Sequence, residues 1–263
     1  MNTQNQRICT FSVLIFLVLL FGGLVTAGFM PPMDPKLGAD QVKEVIVEHQ
    51  TRIRIGLLLA LLSTCFSAPF VAVISVQLKR IEGPRSPFAY AQLILGLMIP
   101  VLLMLPLSWL MTATYRPERP AEDILVLTDQ AWMLFVGAFY AVIIQFACVG
   151  TAILRDPSAT PVFPRWLGYL SFWCAIGSLP AAGLYFVKVG PFAWNNLLSW
   201  WLPVIVFGVW LIAMFVMILR AIADEERIYD TKGAEDPDLD LTVTRVLKVL
   251  AQRGLAGEAA PQN

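Results

Sequence analysis

The residues able to do chemistry in this chain are few and scattered. His49 is the single histidine; it follows Glu48 and lies close after Glu44. Two carboxylates and an imidazole so placed could hold a metal or sense pH. Arg52 and Arg54 come next, where a guanidinium could meet a phosphate or another anion. Enzymatic chemistry at this rim would require Glu48, His49 and Arg54 to converge with Asp123 or Asp129. Without that convergence, His49 is a solvated side chain and the two arginines simply anchor a helix end.

The other candidates are uncharged. Gln145 sits in the middle of a long apolar run, and a primary amide there needs hydrogen-bond partners. Ser63, Thr64, Ser67 and Ser178 are the partners expected for it. Such a cluster would be either glue between helices or the polar contact of an apolar ligand pocket. Gln92 lies one turn inside another apolar run and is expected to be more easily solvated. Trp194 and Asn195 fall in a short turn, Gly190–Asn196, that could fold back over the mouth of a helix bundle.

Several chemistries are excluded. The chain has no G-x-x-x-x-G-K-[ST] phosphate loop, no G-x-G-x-x-G and no H-E-x-x-H. One histidine cannot build a His-rich metal site or a bis-histidine haem, so no metal or other cofactor is expected. The four cysteines, Cys9, Cys65, Cys148 and Cys174, all lie in apolar runs and form no C-x-x-C pair. They read as small buried hydrophobes. Net charge is +0, with 19 basic and 19 acidic residues, so no global field would draw in nucleic acid.

The elements that must position these residues follow from composition. Hydrophobic residues make up 57% of the 263 residues and charged residues 14%, against about 25% charge in an ordinary soluble domain. So apolar a chain needs lipid as part of its solvent. Crossing a hydrocarbon core takes about 20 helical residues. Six runs without Asp, Glu, Lys or Arg meet that length: 8–30, 55–78, 88–113, 131–154, 166–187 and 197–219. Strand-like alternation is absent. The expected fold is an all-α, multi-pass bundle of six transmembrane helices occupying 1–220, followed by a tail, 221–263.

Basic residues give the orientation. With a cytoplasmic N-terminus, the inner side collects Arg7, Lys79, Arg80, Arg85, Arg155, Arg165 and the six basic residues after position 219. The outer side collects only Lys36, Lys43, Arg52, Arg54, Arg116, Arg119 and Lys188. Both termini are therefore expected in the cytoplasm of a cell whose plasma membrane holds the chain. The lack of N-x-S/T sequons suits a bacterial inner membrane. The first run ends in Val25-Thr26-Ala27, like a signal-peptide cleavage site, but it exceeds the roughly 7–15 residues of a signal core and is expected as a retained helix. Trp194, Trp200 and Trp201 are expected as a headgroup belt at the outer end of the sixth span.

Two connections are longer. Pro31–Arg54 contains an outer amphipathic segment, 40–52, with Asp40 able to cap it and Val42, Val45 and Ile46 on one face. The tail begins as an acidic linker and ends in Leu241, Val243, Val246, Leu247 and Leu250 at helical spacing, expected as a short amphipathic helix. Within the spans, Pro69, Pro100, Pro106, Pro180 and Pro203 invite kinks around an internal cavity.

No ionisable residue lies at bilayer depth, which argues against proton relays and acid–base catalysis there. The expected function is non-enzymatic: binding or passage of a hydrophobic small molecule, or service as an accessory subunit of a membrane complex. A secondary transporter of a small neutral solute is the first alternative, and would need a polar path near Gln145. An enzyme working at the outer rim is the second. The expected partners are the lipid bilayer, a hydrophobic small molecule or other membrane subunits, and no nucleic acid.

Overall fold

The computed structural model describes residues 2–235, apart from the side chains of Phe139 and of residues 229–235. Among these residues all regular structure is helical. The helices are α1 (Thr3–Ala27), α2 (Ala39–Glu48), α3 (Gln50–Glu82), α4 (Pro87–Tyr115), α5 (Ala121–Gly137), α6 (Phe139–Leu154), α7 (Arg165–Ser178) and α8 (Leu202–Glu235). A 3₁₀ turn, Leu179–Tyr185, follows α7, and a π turn, Leu197–Trp201, precedes α8.

Six stretches are long and apolar enough to cross a membrane: α1, α3, α4, α5 with α6, α7 with its 3₁₀ turn, and the π turn with α8. Their outward faces are apolar, with Val18 71% exposed, Ile94 64% and Trp173 69%. A soluble protein does not present such surfaces in continuous bands. Most helices outlast the charge-free runs that announced them. α3 carries Arg52 and Arg54 in its first turns and Lys79 and Arg80 in its last, because long basic side chains can reach polar surroundings from within a helix.

The bundle is built around α3 and α4. α1 packs along α3, α3 along α4, and α4 along both α5 and α6; α7 packs on α6. The α1–α3 contact is a backbone-to-backbone approach at glycine. A Cβ added to Gly23 would lie 2.5 Å from the Gly56 carbonyl oxygen, and one on Gly56 would collide with the Gly23 carbonyl. Small residues permit this approach, the main source of helix association where no hydrophobic drive operates. α1 ends at Gly28, whose positive φ of 77° lets its N–H return to Leu24 and Val25.

α2 is the expected amphipathic segment, with Val42 and Ile46 buried. Its start differs from expectation. Gly38 is the cap, its N–H donating to Gln41 Oε1 at 2.9 Å, and Asp40 lies within the first turn. The segment also ends earlier, at His49, and residues 50–52 belong to α3.

The chain divides into two compact units at Ala221. In the second, residues 222–235 continue as helix, with Arg227 Nη1 3.8 Å from Asp224 Oδ1. The stretch expected as an acidic linker is thus helical through Glu235. The rest of that linker and the expected amphipathic helix at 241–250 lie outside the described residues.

Candidate functional site

Polar side chains at the end of the bundle that carries α2 serve helix ends. Arg54 donates to the Thr114 carbonyl at 2.5 Å, to the Tyr115 carbonyl at 3.2 Å and to Thr114 Oγ1 at 3.3 Å, closing the C-terminus of α4. Gln50 Nε2 joins it on the Thr114 carbonyl at 2.7 Å. Arg52 Nε reaches the Thr26 carbonyl at 2.8 Å, at the end of α1. Lys43 Nζ reaches the Arg119 carbonyl at 2.8 Å. Arg52 and Arg54, as cations at helix C-termini, also complement the helix dipole, whereas Lys43 ties down the connection between α4 and α5. Glu48 and His49 are exposed, and no hydrogen bond or ion pair joins them or Arg54 to Asp123 or Asp129. Among the described residues no group of three His, Cys, Asp or Glu could hold a metal. Among the described residues, no hydrogen bond or ion pair thus draws these side chains into the cluster expected of an enzyme at this rim.

The turn Gly190–Asn196 does fold back. Trp194 is buried and its Nε1 donates to the Met33 carbonyl at 2.7 Å. Asn195 Oδ1 accepts from Asn196 Nδ2 at 3.2 Å. Trp200 is also buried, 2% exposed. The headgroup belt expected of Trp194 and Trp200 is therefore not formed, since both rings pack inward.

The two glutamines behave oppositely. Gln92, expected to be solvated, is 0% exposed; its Oε1 accepts from Ser75 Oγ at 2.5 Å, while its Nε2 has no partner. Gln145 is 2% exposed and its Oε1 has no partner. None of the expected hydroxyls reaches it, because each bonds a carbonyl of its own helix. Ser63 donates to Ala60 at 2.6 Å, Thr64 to Leu61 at 2.7 Å, Ser67 to Thr64 at 2.8 Å and Ser178 to Cys174 at 2.8 Å. Serine and threonine in helices commonly satisfy themselves this way. Gln145 faces a cavity of about 30 Å³ with Ser67, Gly96, Phe70, Ile99, Phe207 and Trp210 among its walls. Ser67 and Gln145 are its only residues with polar side chains other than the Trp210 indole, whose Nε1 is held by Ser171 Oγ at 2.9 Å. Among the described residues, this cavity therefore has few polar groups to offer a solute.

Beside it lies a larger cavity of about 140 Å³, partly open to the bundle surface. α1 contributes Leu20, Phe21 and Leu24; α4 contributes Ile99, Leu102 and Leu103; α5 and α6 contribute Phe135, Val136 and Val142. Ser178 of α7, Ser199 and Trp200 of the π turn, and Pro203, Val204 and Phe207 of α8 complete it. Three spans lose regular α geometry at its walls. α5 ends at Gly137 and α6 begins at Phe139; Ala138, between them, lines the cavity. Gly137 leaves room for the Tyr185 hydroxyl, which a Cβ there would strike. α7 turns 3₁₀ directly after Ser178, with Pro180 in the turn. The π turn delivers Ser199 and Trp200, and Pro203 opens α8. Irregular backbone at membrane depth is tolerated where it is buried in protein or lines a cavity, and π turns often mark functional positions.

The cavity walls are mainly apolar, with Ser178, Ser199 and the unpartnered Trp200 Nε1 as their polar groups, and suit an apolar group. An engineered cavity of about 150 Å³ lined by Leu, Ile and Phe stays dry and accepts benzene. No residue lining either cavity is ionisable, so neither offers a general acid or base. A relay of rings stiffens one wall: Phe29 and Trp132 at 5.2 Å, Trp132 and Phe135 at 6.0 Å, Phe135 and Trp200 at 5.9 Å. Of the expected site residues, Ser178 lines the large cavity, and Ser67 and Gln145 the small one. Ser63, Thr64, Gln92, Trp194, Asn195, Glu48, His49 and Arg54 line neither. Sequence reasoning missed Leu24, Phe135 and Phe207, which look like ordinary lipid-phase residues, and took Trp200 for an interfacial one. Pro180 and Pro203 were the available signal for two of the breaks, whereas the break at Ala138 has no proline beside it. No family model, curated protein or solved structure matches this chain.

Proposed function

We propose that this chain is a multi-pass protein of the cell membrane, both termini cytoplasmic, that binds a hydrophobic small molecule without reacting with it. The observation carrying this reading is the apolar cavity of about 140 Å³ at the meeting point of three interrupted spans. Its partial opening suits entry from the acyl-chain region. An even number of spans puts both termini on one side, and the excess of basic residues on that side favours the cytoplasm. Burial of apolar surface at about 25 cal/mol per Å² supplies the affinity, and the absence of ionisable walls excludes charged ligands, whose desolvation would go unmatched.

Native mass spectrometry of the detergent-purified protein tests the proposal. The expected result is a retained non-protein mass that disappears in Val204→Phe, where the larger ring fills the cavity. A wild-type protein that carries no such mass, from any membrane extract, overturns it. A retained polypeptide in place of a small molecule would instead favour an accessory subunit.

A further inference from the structure

The two cavities share Ile99 and Phe207 as walls, so they adjoin. The smaller holds one of the polar groups that the bundle leaves unanswered; Gln92 Nε2, Trp132 Nε1 and Trp200 Nε1 are others. Gln145 is 2% exposed, its side-chain amide makes no hydrogen bond to any described residue, and the nearby hydroxyls are held by their own helices. Gly96 makes room for the amide: a Cβ there would lie 2.9 Å from Gln145 Nε2. A buried amide without partners is costly, and about 30 Å³ of space beside it is enough for a water-sized group.

We infer that the small cavity is the polar end of the binding site proposed above, and that the ligand is a neutral alcohol. Its compact hydrocarbon body occupies the larger cavity, and its hydroxyl passes between Ile99 and Phe207 to the Gln145 amide. A hydroxyl fits for three reasons. It is about the size of the water-sized space. It both donates and accepts, as the amide does. It carries no charge, in keeping with walls that hold no ionisable residue. The inference rests on the large cavity being a binding site, and the test separates the two ideas.

Benzyl alcohol and ethylbenzene differ only in a hydroxyl or a methyl at the end of one methylene. Each is titrated into nanodisc-embedded protein, with tryptophan fluorescence as the readout and affinities corrected for partition into lipid. The wild type is expected to bind benzyl alcohol about tenfold tighter than ethylbenzene. In Gln145→Met, which keeps the side-chain length, the ratio falls to about one while ethylbenzene binding is unchanged. Gln145→Leu serves as the second variant should the first not fold. If ethylbenzene binds but the ratio is the same in wild type and variants, the alcohol inference fails and the apolar site stands. If neither probe binds, both fail.

Discussion

The half of the bundle built from α1, α3 and α4 and the half built from α5 to α8 treat interruption in opposite ways. α3 runs unbroken through Pro69, and α4 through Pro100 and Pro106. α5 and α6 part at Ala138 with no proline nearby, α7 relaxes to 3₁₀ after Ser178, and α8 is reached through a π turn. Proline alone therefore does not decide where a span breaks. The continuous helices lie against neighbours along their length: α1 meets α3 at the Gly23–Gly56 approach, and α4 is packed by α3, α5 and α6. The interrupted spans meet at the cavity, with α1 and α4 as its other walls, where irregular backbone is tolerated. The continuous half serves as frame; the cavity wall draws on that frame through α1 and α4 and on all three interrupted spans.

The comparison breaks most readily at glycine. Gly56→Leu puts a side chain where backbone atoms of α1 now sit and should cost about 3 kcal/mol or more, read as a lowered thermal midpoint in detergent. Gly208, in α8, has open space where a Cβ would be. Gly208→Ala should leave stability unchanged or raise it by up to about 1 kcal/mol, since it removes the glycine entropy cost. A loss at Gly208 comparable to that at Gly56 would mean that the space beside Gly208 is filled in the native protein.

The glutamines sharpen the contrast. Gln92→Met strips Ser75 Oγ of its side-chain partner in the frame and is expected to destabilise by about 1–2 kcal/mol. Gln145→Met removes an amide with no protein partner, so the ligand-free protein should become more stable by a similar amount. Thermal melts of both variants should therefore shift in opposite directions. Shifts of the same sign would show that Gln145 is satisfied in the native protein.

The smallest effect concerns the loop between α6 and α7. Burial is the largest single influence on Asp156 and pushes its pKa up. The Ser158 hydroxyl and N–H at 2.5 and 3.0 Å, with the Val162 N–H at 3.0 Å, outweigh it and hold the carboxyl below its ordinary value. A lowered folded pKa means the carboxylate's contribution is present above the unfolded value, near pH 3.9, and is lost as pH falls through the folded one. Asp156→Asn should lose a small part of its stability at neutral pH and show a shallower acid dependence below about pH 4. An unchanged acid limb would show that the loop bonds do not persist in solution.

Much of the frame was legible in the sequence. The charge-free runs located the six candidate spans, because a helix in hydrocarbon cannot carry unpaired charge cheaply. Val42 and Ile46 marked the buried face of α2 by period alone. The helix ends were less legible, since Arg52 and Arg54 lie inside α3 and bond the carbonyls of other helices. The wall was the least legible part. Trp200 reads as an interfacial tryptophan, yet a π turn rotates it inward. Leu24 and Phe135 are indistinguishable in sequence from Val18 or Ile94, which face outward. Which apolar residue meets a cavity depends on helix pairing, and hydropathy carries no information about pairing. Gln145 stood out as a mid-span amide, but its lack of partners could be seen only once each neighbouring hydroxyl was found turned to its own backbone.

The most direct test of the frame-and-wall division is ethylbenzene binding to nanodisc-embedded wild type and Val204→Phe, followed by tryptophan fluorescence. If the interrupted spans, together with α1 and α4, enclose a hydrophobic binding site, the wild type saturates and the variant, although folded and at least as stable, shows only lipid partition. Equal, non-saturating signals from both would contradict it.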